Sequence, residues 1–528
     1  MSITESNVLP VVPTSTAKPK RFEISRALIA KSVVSNWSYL SLNVLVAFWM
    51  TPFVVRHLGD SWFGIWALVL QLTGYMGVVD VGLRSALVRF VSRFQAQGDH
   101  EALNRLLNTT NTLYALMAPV CFLVAAMVAL FGLRHMHIPS EMLRVAQITV
   151  FIAAGCIACD FLFATSHASL AGLSRWDLIN SVWITTLLVR TALIILFLKL
   201  GFGLVALALI QFSVTMIGYS IEVILLWRLL PRFRFKWQAP ELIHMRPIME
   251  HGWYSFLLSM ATKINYQVDS IIIALFLPIS QITFYVIGLR LIEYLRDLLN
   301  STTMIVSPLV SSLDAVGDTH RVATTLIRST KGSLLVGFLG VGALLGLGTD
   351  FIRLWMGPRF AESSGAVLVI LAVGVLASCT QFASSHVLYG LSKHRLNVRW
   401  TVIESILNLG FSIVLVRRFG ILGVAAGTTL ANVIIRGWFY PRSFLRVLEI
   451  PWRAYLRHGV MPAITPTLSF LAGVVLCKNF FPIRNYGGLV IAAIFGLLPF
   501  IVCLWFFVLD DADREMMLLK GRRFTARA

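Results

Sequence analysis

Charge is what this sequence has least of. Only 13% of its 528 residues are charged, and Asp and Glu together number 25. A soluble domain carries about 25% charged residues and covers its outside with them. With 57% of the chain hydrophobic and a mean hydropathy of +0.78, polar residues are too few to wrap a body of this size, so lipid must cover part of the surface. Cysteine is scarce as well. Cys121, Cys156, Cys159, Cys379, Cys477 and Cys503 all fall inside apolar stretches. Cys156 and Cys159 form a C-x-x-C, but no further His or Cys set stands near them, so they read as small buried hydrophobes. A phosphate-binding G-x-x-x-x-G-K-[ST] loop is missing, which excludes ATP as the direct energy source. No nucleophile–base arrangement stands out, and no outer loop is long enough to form a catalytic domain. The sequence therefore predicts no enzyme, no cofactor and no metal site.

What the chain does have is apolar runs. A helix needs roughly 20 mainly apolar residues to cross a bilayer core. About fourteen stretches qualify: 32–55, 61–79, 112–133, 146–166, 178–200, 204–230, 253–277, 281–301, 332–351, 363–388, 397–416, 422–445, 458–476 and 487–508. The predicted fold class is an all-α integral membrane protein. Residues 1–31 are polar, with Pro10, Pro13 and Pro19 and a basic end, and read as a disordered cytoplasmic tail before an uncleaved first span.

The net charge of +20 would suggest nucleic acid in a soluble protein. Its placement suggests lipid headgroups instead. Thirty-three of the 45 lysines and arginines fall in the two tails, the loops after even-numbered spans and the span ends beside them; ten fall on the other side, and Arg190 and Lys263 sit deep inside spans. The positive-inside rule then places both termini in the cytoplasm of a multi-pass inner-membrane protein, with the basic charge facing anionic lipid.

The chain also repeats itself. Ala164-Thr165-Ser166-His167 followed by Gly172-Leu173-Ser174-Arg175 matches Ala383-Ser384-Ser385-His386 followed by Gly390-Leu391-Ser392-Lys393. His167 and His386 lie 219 residues apart, as do Gly201 and Gly420 in a second matching stretch. The repeat pairs spans 1–6 with spans 7–12, and both units start on the same side. Parallel six-helix halves imply a two-lobed transporter around a central cavity. The expected organisation is a tail at 1–31, lobes at 32–235 and 246–450, and two extra helices with a basic tail at 451–528.

Two stretches resemble a known family. They are Leu58-Gly59-Asp60-Ser61-Trp62-Phe63-Gly64-Ile65-Trp66 with Asp80-Val81-Gly82-Leu83, and Leu354-Trp355-Met356-Gly357-Pro358-Arg359-Phe360. They are similar to bacterial polysaccharide exporters of the multidrug, oligosaccharidyl-lipid and polysaccharide flippase superfamily, over roughly residues 32–450. The resemblance implies two six-helix bundles around a basic cavity. It also implies that a polyprenyl-pyrophosphate-linked oligosaccharide is flipped from the cytoplasmic to the periplasmic leaflet for surface polysaccharide such as O-antigen or exopolysaccharide. Expected partners are that lipid-linked substrate, membrane lipid, Na+ or H+ as coupling ion, and polysaccharide polymerase machinery.

Charges inside a membrane are costly and must face protein or water, so they nominate site residues. Ser259, Lys263, Gln267 and Ser270 share one face of span 7. Lys263 either meets a pyrophosphate in the cavity or pairs with Asp269 or a carboxylate of span 8. Asn36, Tyr39 and Asn43 form a stripe on span 1 that suits sugar hydroxyls or helix–helix contact. Arg190 in span 5 reaches substrate or is neutralised by Glu222. Arg290, Glu293, Arg296 and Asp297 crowd the inner half of span 8 at ion-ladder spacing, with Arg290 highest and closest to the cavity. Asp80 and Arg84, four apart, read as a pair or gate latch. The substrate-binding candidates are thus Lys263, Arg290, Arg190, Gln267, Asn36 and Asn43; the gate or coupling candidates are Asp80, Arg84, Asp269 and Glu222. Two rival readings stand beside the flippase. A cation-coupled multidrug antiporter would use Asp160, Glu222, Asp269 and Glu404, and a membrane-embedded transferase or assembly scaffold would want a large outer loop.

Overall fold

The computed structural model describes residues 26–528 apart from 77–79, 81 and 82, 232, 235, 237–241, 394, 510–513 and 515–528. The expected tail up to residue 25 and most of the basic C-terminal tail lie outside the described residues. All the regular structure described is helical.

The first repeat holds α1 (Arg26–Leu58), α2 (Asp60–Met76), α3 (Leu83–Gln97), α4 (His100–Leu130), α5 (Ser140–Gly172), α6 (Trp176–Lys199) and α7 (Leu204–Leu229). The second holds α8 (Leu242–Phe276), α9 (Ser280–Thr303), α10 (Val306–Ala315), α11 (Thr319–Trp355), α12 (Pro358–Gly390), α13 (Arg395–Ile434) and α14 (Tyr440–Val447). After the short α15 (Trp452–Tyr455) come α16 (Met461–Phe480) and α17 (Tyr486–Cys503).

Each of the fourteen expected spans falls on a helix. Among the described residues, ten helices are long and apolar enough to cross a membrane on those grounds alone. One of the ten, running from Arg395 to Val447, breaks at Gly420 (φ 60°, ψ −138°) and supplies two spans. The other three spans are α2, which is only 17 residues long, and α8 and α9, whose charges dilute their apolar character.

The repeat extends into structure that the hydropathy pattern does not reveal. α3 and α10 are amphipathic helices in stretches expected to be loops. Each lies against the end of a long helix of its own repeat, α3 on α5 and α10 on α12. The contact is the same in both. Ser92 Oγ donates to the Gly172 carbonyl (2.5 Å), and Ser311 Oγ donates to the Gly390 carbonyl (2.9 Å). A methyl on Gly172 would lie 2.7 Å from Val91 Cβ, and one on Gly390 would lie 2.7 Å from the Ser307 carbonyl oxygen. Glycine is therefore required at both sites by space. The serines that follow, Ser174 (φ 58°) and Ser392 (φ 56°), both turn the chain through the left-handed region. Downstream of α3 and α10, Asp99 and Asp318 cap α4 and α11 by accepting from the N–H three residues on.

Within the first repeat α4 and α7 pack on α5, and α1 on α6; within the second, α9, α11 and α13 pack on α12, and α8 on α13. The two sets meet chiefly through α2, which lies against α8 and α9. α16 docks on α11 and α17 on α16. There Lys478 Nζ reaches Asp350 Oδ2 at 2.5 Å and donates to the Gly346 carbonyl at 2.6 Å.

Candidate functional site

The faces of α8 decide where its polar residues act. Tyr75 on α2 donates to the Lys263 carbonyl (3.2 Å), and a methyl on Gly74 of α2 would meet Gln267 Oε1 at 2.6 Å. The stripe through Lys263 and Gln267 therefore faces the first repeat, at the junction of the two sets. Lys263 is partly exposed, and among the described residues no carboxylate lies within ion-pair distance of its ammonium. The expected alternative, a pair with Asp269, is corrected by the structure. Asp269 is 2% exposed and accepts from Tyr285 Oη (2.5 Å) and Thr428 Oγ1 (3.2 Å). Helix α8 turns Asp269 toward α9 and α13, away from the face that carries Lys263.

Arg190 is also partly exposed, and its Nε has no hydrogen-bond partner. Tyr39, Cys156 and Tyr219 lie near it. The expected partner Glu222 is engaged elsewhere. It is fully buried, lies 3.1 Å from His167 Nδ1 and accepts from Trp183 Nε1 (2.9 Å). The span 1 stripe is brought toward Arg190 because α1 packs on α6. Asn43 Nδ2 contacts Tyr39 Oη at 3.4 Å, and Asn36 is exposed. Two cations on two repeats thus lack carboxylate partners among the described residues.

Arg84, Arg290 and Glu404 are paired. Arg84 reaches Asp80 (3.4 Å) as the spacing predicts, and it also bonds Asp160 Oδ2 (3.0 Å). Tyr114 donates to Asp80 (2.6 Å) and Tyr219 to Asp160 (2.5 Å), so Asp80 and Arg84 belong to a five-residue cluster inside the first repeat. Arg290 pairs with Glu293 (2.9 Å) and lines a cavity inside the second repeat, so it does not stand beside Lys263 between the sets. Glu404 pairs with Arg436, whose guanidinium also donates to Thr401 Oγ1 (2.7 Å). Arg436, 1% exposed, was missed: it sits inside span 12, although its charge counts with the basic face. His167 and His386 occupy matched positions without matched partners; His386 Nε2 lies 3.4 Å from Asn300 Oδ1. The described residues contain no cluster of three or more His, Cys, Asp or Glu that could hold a metal.

The two stretches that carried the resemblance meet in space, on the face opposite the basic one. Arg359 Nη2 reaches Asp60 Oδ2 at 2.5 Å, and Thr283 Oγ1 donates to the Asp60 carbonyl at 2.6 Å. The Trp355 indole donates to the Phe48 carbonyl (2.9 Å) and stacks on the Phe48 ring, centroids 4.9 Å apart. The His137 N–H donates to the Ala274 carbonyl (2.8 Å). On this face the two repeats are closed against each other.

Comparison with known proteins agrees with this architecture. An uncharacterized membrane protein of Bacillus subtilis, EpsK, is 21% identical over 93% of this chain and 97% of its own length. A putative O-antigen transporter of Shigella flexneri is 20% identical over 78% of this chain and 98% of its own. A probable low-salt glycan biosynthesis flippase of Haloferax volcanii, Agl15, is 21% identical over 85% and 89%. Among solved structures, the lipid II flippase MurJ in an inward closed conformation superposes with a TM-score of 0.69 at 15% identity, covering 91% of this chain and 98% of that one. A multidrug resistance MATE family transporter in an inward-facing conformation superposes at 0.60 with 14% identity, covering 77% and 94%. The sequence profile of the polysaccharide biosynthesis protein family matches residues 29–314, more than half the chain, and the chain therefore belongs to that family of membrane transporters.

Proposed function

We propose that this protein flips a polyprenyl-pyrophosphate-linked oligosaccharide from the cytoplasmic to the periplasmic leaflet of a bacterial inner membrane, with both termini in the cytoplasm. The two lobes are taken as residues 32–235 and 246–450. The observation that carries the reading is the pair of unneutralised cations, Lys263 and Arg190. A cation within a membrane span and without a counter-ion is costly unless water or an anion meets it. A pyrophosphate headgroup supplies at least two negative charges and needs such a resting point between the leaflets. Its polyprenyl tail stays in lipid through a lateral gap between the lobes. The relatives described as flippases and as an O-antigen transporter support the same substrate class. In this reading the closed face is periplasmic, and substrate enters from the basic, cytoplasmic face.

The multidrug antiporter reading needs carboxylates open to a cationic drug. Asp160, Glu222, Asp269 and Glu404 are each engaged by a protein partner, which weighs against it. Asp269 is the carboxylate best placed to couple transport to Na+ or H+. Thr428 bridges it to Asn408 Oδ1 (3.1 Å), and Asn408 also accepts from Ser412 (3.1 Å), so one carboxylate and several neutral oxygens converge there.

The test is reconstitution of the full chain in liposomes with a fluorescent polyprenyl-pyrophosphate oligosaccharide, scored by its exposure to an impermeant quencher. Leaflet exchange above protein-free liposomes is expected, and Lys263→Ala should lower it at least tenfold. Exchange no faster than in protein-free liposomes would sink the proposal.

A further inference from the structure

A cavity of about 610 Å³ lies inside the second repeat, walled by α8, α9, α12 and α13, with Arg436 behind it. Sites for small ligands run about 300–1,000 Å³. The cavity lies on a different face of α8 from Lys263: Leu258, Thr262, Asn265 and Tyr266 line it, whereas Lys263 and Gln267 face α2.

Its charges cancel. Arg290 is paired with Glu293, and Arg436 with Glu404. Arg296 rests on the Tyr266 ring, 4.4 Å from its centroid, and its neighbour Asp297 also lines the cavity. Three guanidinium groups against three carboxylates give little net pull on a phosphate. What is left is neutral polar capacity. Asn265 is 4% exposed, yet its Oδ1 accepts nothing, and the Tyr294 hydroxyl is buried without a partner. An open buried group costs about 1–3 kcal/mol, which a ligand recovers by bonding it. Asn300, Gln381 and Asn397 add side-chain amides to the same wall.

The fold does not require charge here. In the first repeat, span 1 has no charge between Lys31 and Arg56, and span 2 none between Asp60 and Asp80. The same architecture forms there without it. The charged residues of spans 7 and 8 are therefore an addition to the repeat.

We propose that this cavity is a carbohydrate subsite that takes one or two uncharged sugar rings of the transported headgroup. Sugar hydroxyls both donate and accept, which amides and tyrosine match, and sugar C–H faces pack on rings such as Tyr266 and Phe382. The second lobe then reads the glycan, while the cations between the lobes hold the pyrophosphate. This inference rests on the flippase reading, and two experiments separate their failures. In a cysteine-free full chain, maleimide labelling of Asn300→Cys, and separately of Gln381→Cys, is timed with free neutral disaccharides at tens of millimolar or with inorganic pyrophosphate. Slowing by at least one disaccharide and none by pyrophosphate is expected. Slowing by pyrophosphate alone, or by no sugar at either position, overturns the subsite whether or not the protein flips lipid. In liposomes, transport of a glycan-bearing polyprenyl pyrophosphate is divided by that of the bare lipid. Asn300→Ala combined with Gln381→Ala should lower this ratio about tenfold, whereas Gly410→Ala, where the added methyl meets open space, keeps the wild-type ratio. A double variant with the wild-type ratio also overturns the subsite.

Discussion

Single residues in this protein divide by whether their charge is answered inside the fold. Lys263 and Arg190 are not, so their replacement should act on transport rather than on stability. Lys263→Ala should abolish surface glycan in cells at normal protein level, while Lys263→Arg keeps a substantial fraction. A Lys263→Ala strain with wild-type glycan would move the weight to Arg190. Arg436 and Glu404 behave in the opposite way. Removing one partner of a fully buried pair costs about 3–5 kcal/mol, whereas replacing both with apolar residues is close to neutral. Glu404→Leu should therefore lower the thermal unfolding midpoint of purified protein by several degrees, and adding Arg436→Met should recover most of the loss. Lys263 and Arg190 were legible because a lone charge in an apolar run is conspicuous. Their neighbours were not. Asp269 is only six residues from Lys263, yet helix rotation turns it onto another face, and Asp160 reaches Arg84 only through the packing of α5. Spacing along one helix gives pairs within that helix, but pairs across helices depend on tertiary approach.

At the scale of elements, the helix count was readable because lipid demands long apolar runs, and the repeat was readable from matched glycines and histidines. α3 and α10 escaped because helices of 15 and 10 residues are too short to register as spans, and α3 also carries three arginines among its apolar residues. The sequence did mark the places they dock, Gly172 and Gly390, without saying what docks there. Both glycines should be intolerant in the same way. Leu at either position should displace the amphipathic helix and raise protease cleavage between residues 83 and 97, or between 306 and 315. Ala at Gly410, which faces open space, should leave both patterns unchanged.

At the scale of the whole molecule, orientation rests on the charge asymmetry. A cysteine at Arg484 should react with an impermeant maleimide added to intact cells, while one at Arg234 or Lys393 should react only after lysis. Labelling of the last two in intact cells would invert the topology. The closed face has its own test. The Asp60–Arg359 pair is exposed on the arginine side (72%), so it contributes no more than about 1 kcal/mol and can be released easily. Asp60→Ala should speed labelling of a cysteine at Ala274, buried on the same face, as that face opens more often, without lowering protein yield. Unchanged labelling would assign the closure to the Trp355 contacts alone.

The contact that closes this face has a mechanical meaning. At Gly64 of α2 a side chain would strike the Ile279 carbonyl oxygen of the second repeat, so two rigid rods touch there backbone to backbone. A point where nothing can be compressed acts as a fulcrum. From Gly64 to the end of α2 at Met76 the lever arm is about 18 Å, and each degree of tilt carries the far end through about 0.3 Å. The width of the opposite mouth is then set by helix length and tilt, not by the residues that line it. A larger side chain at position 64 would shift the pivot and narrow or widen that mouth for every substrate alike.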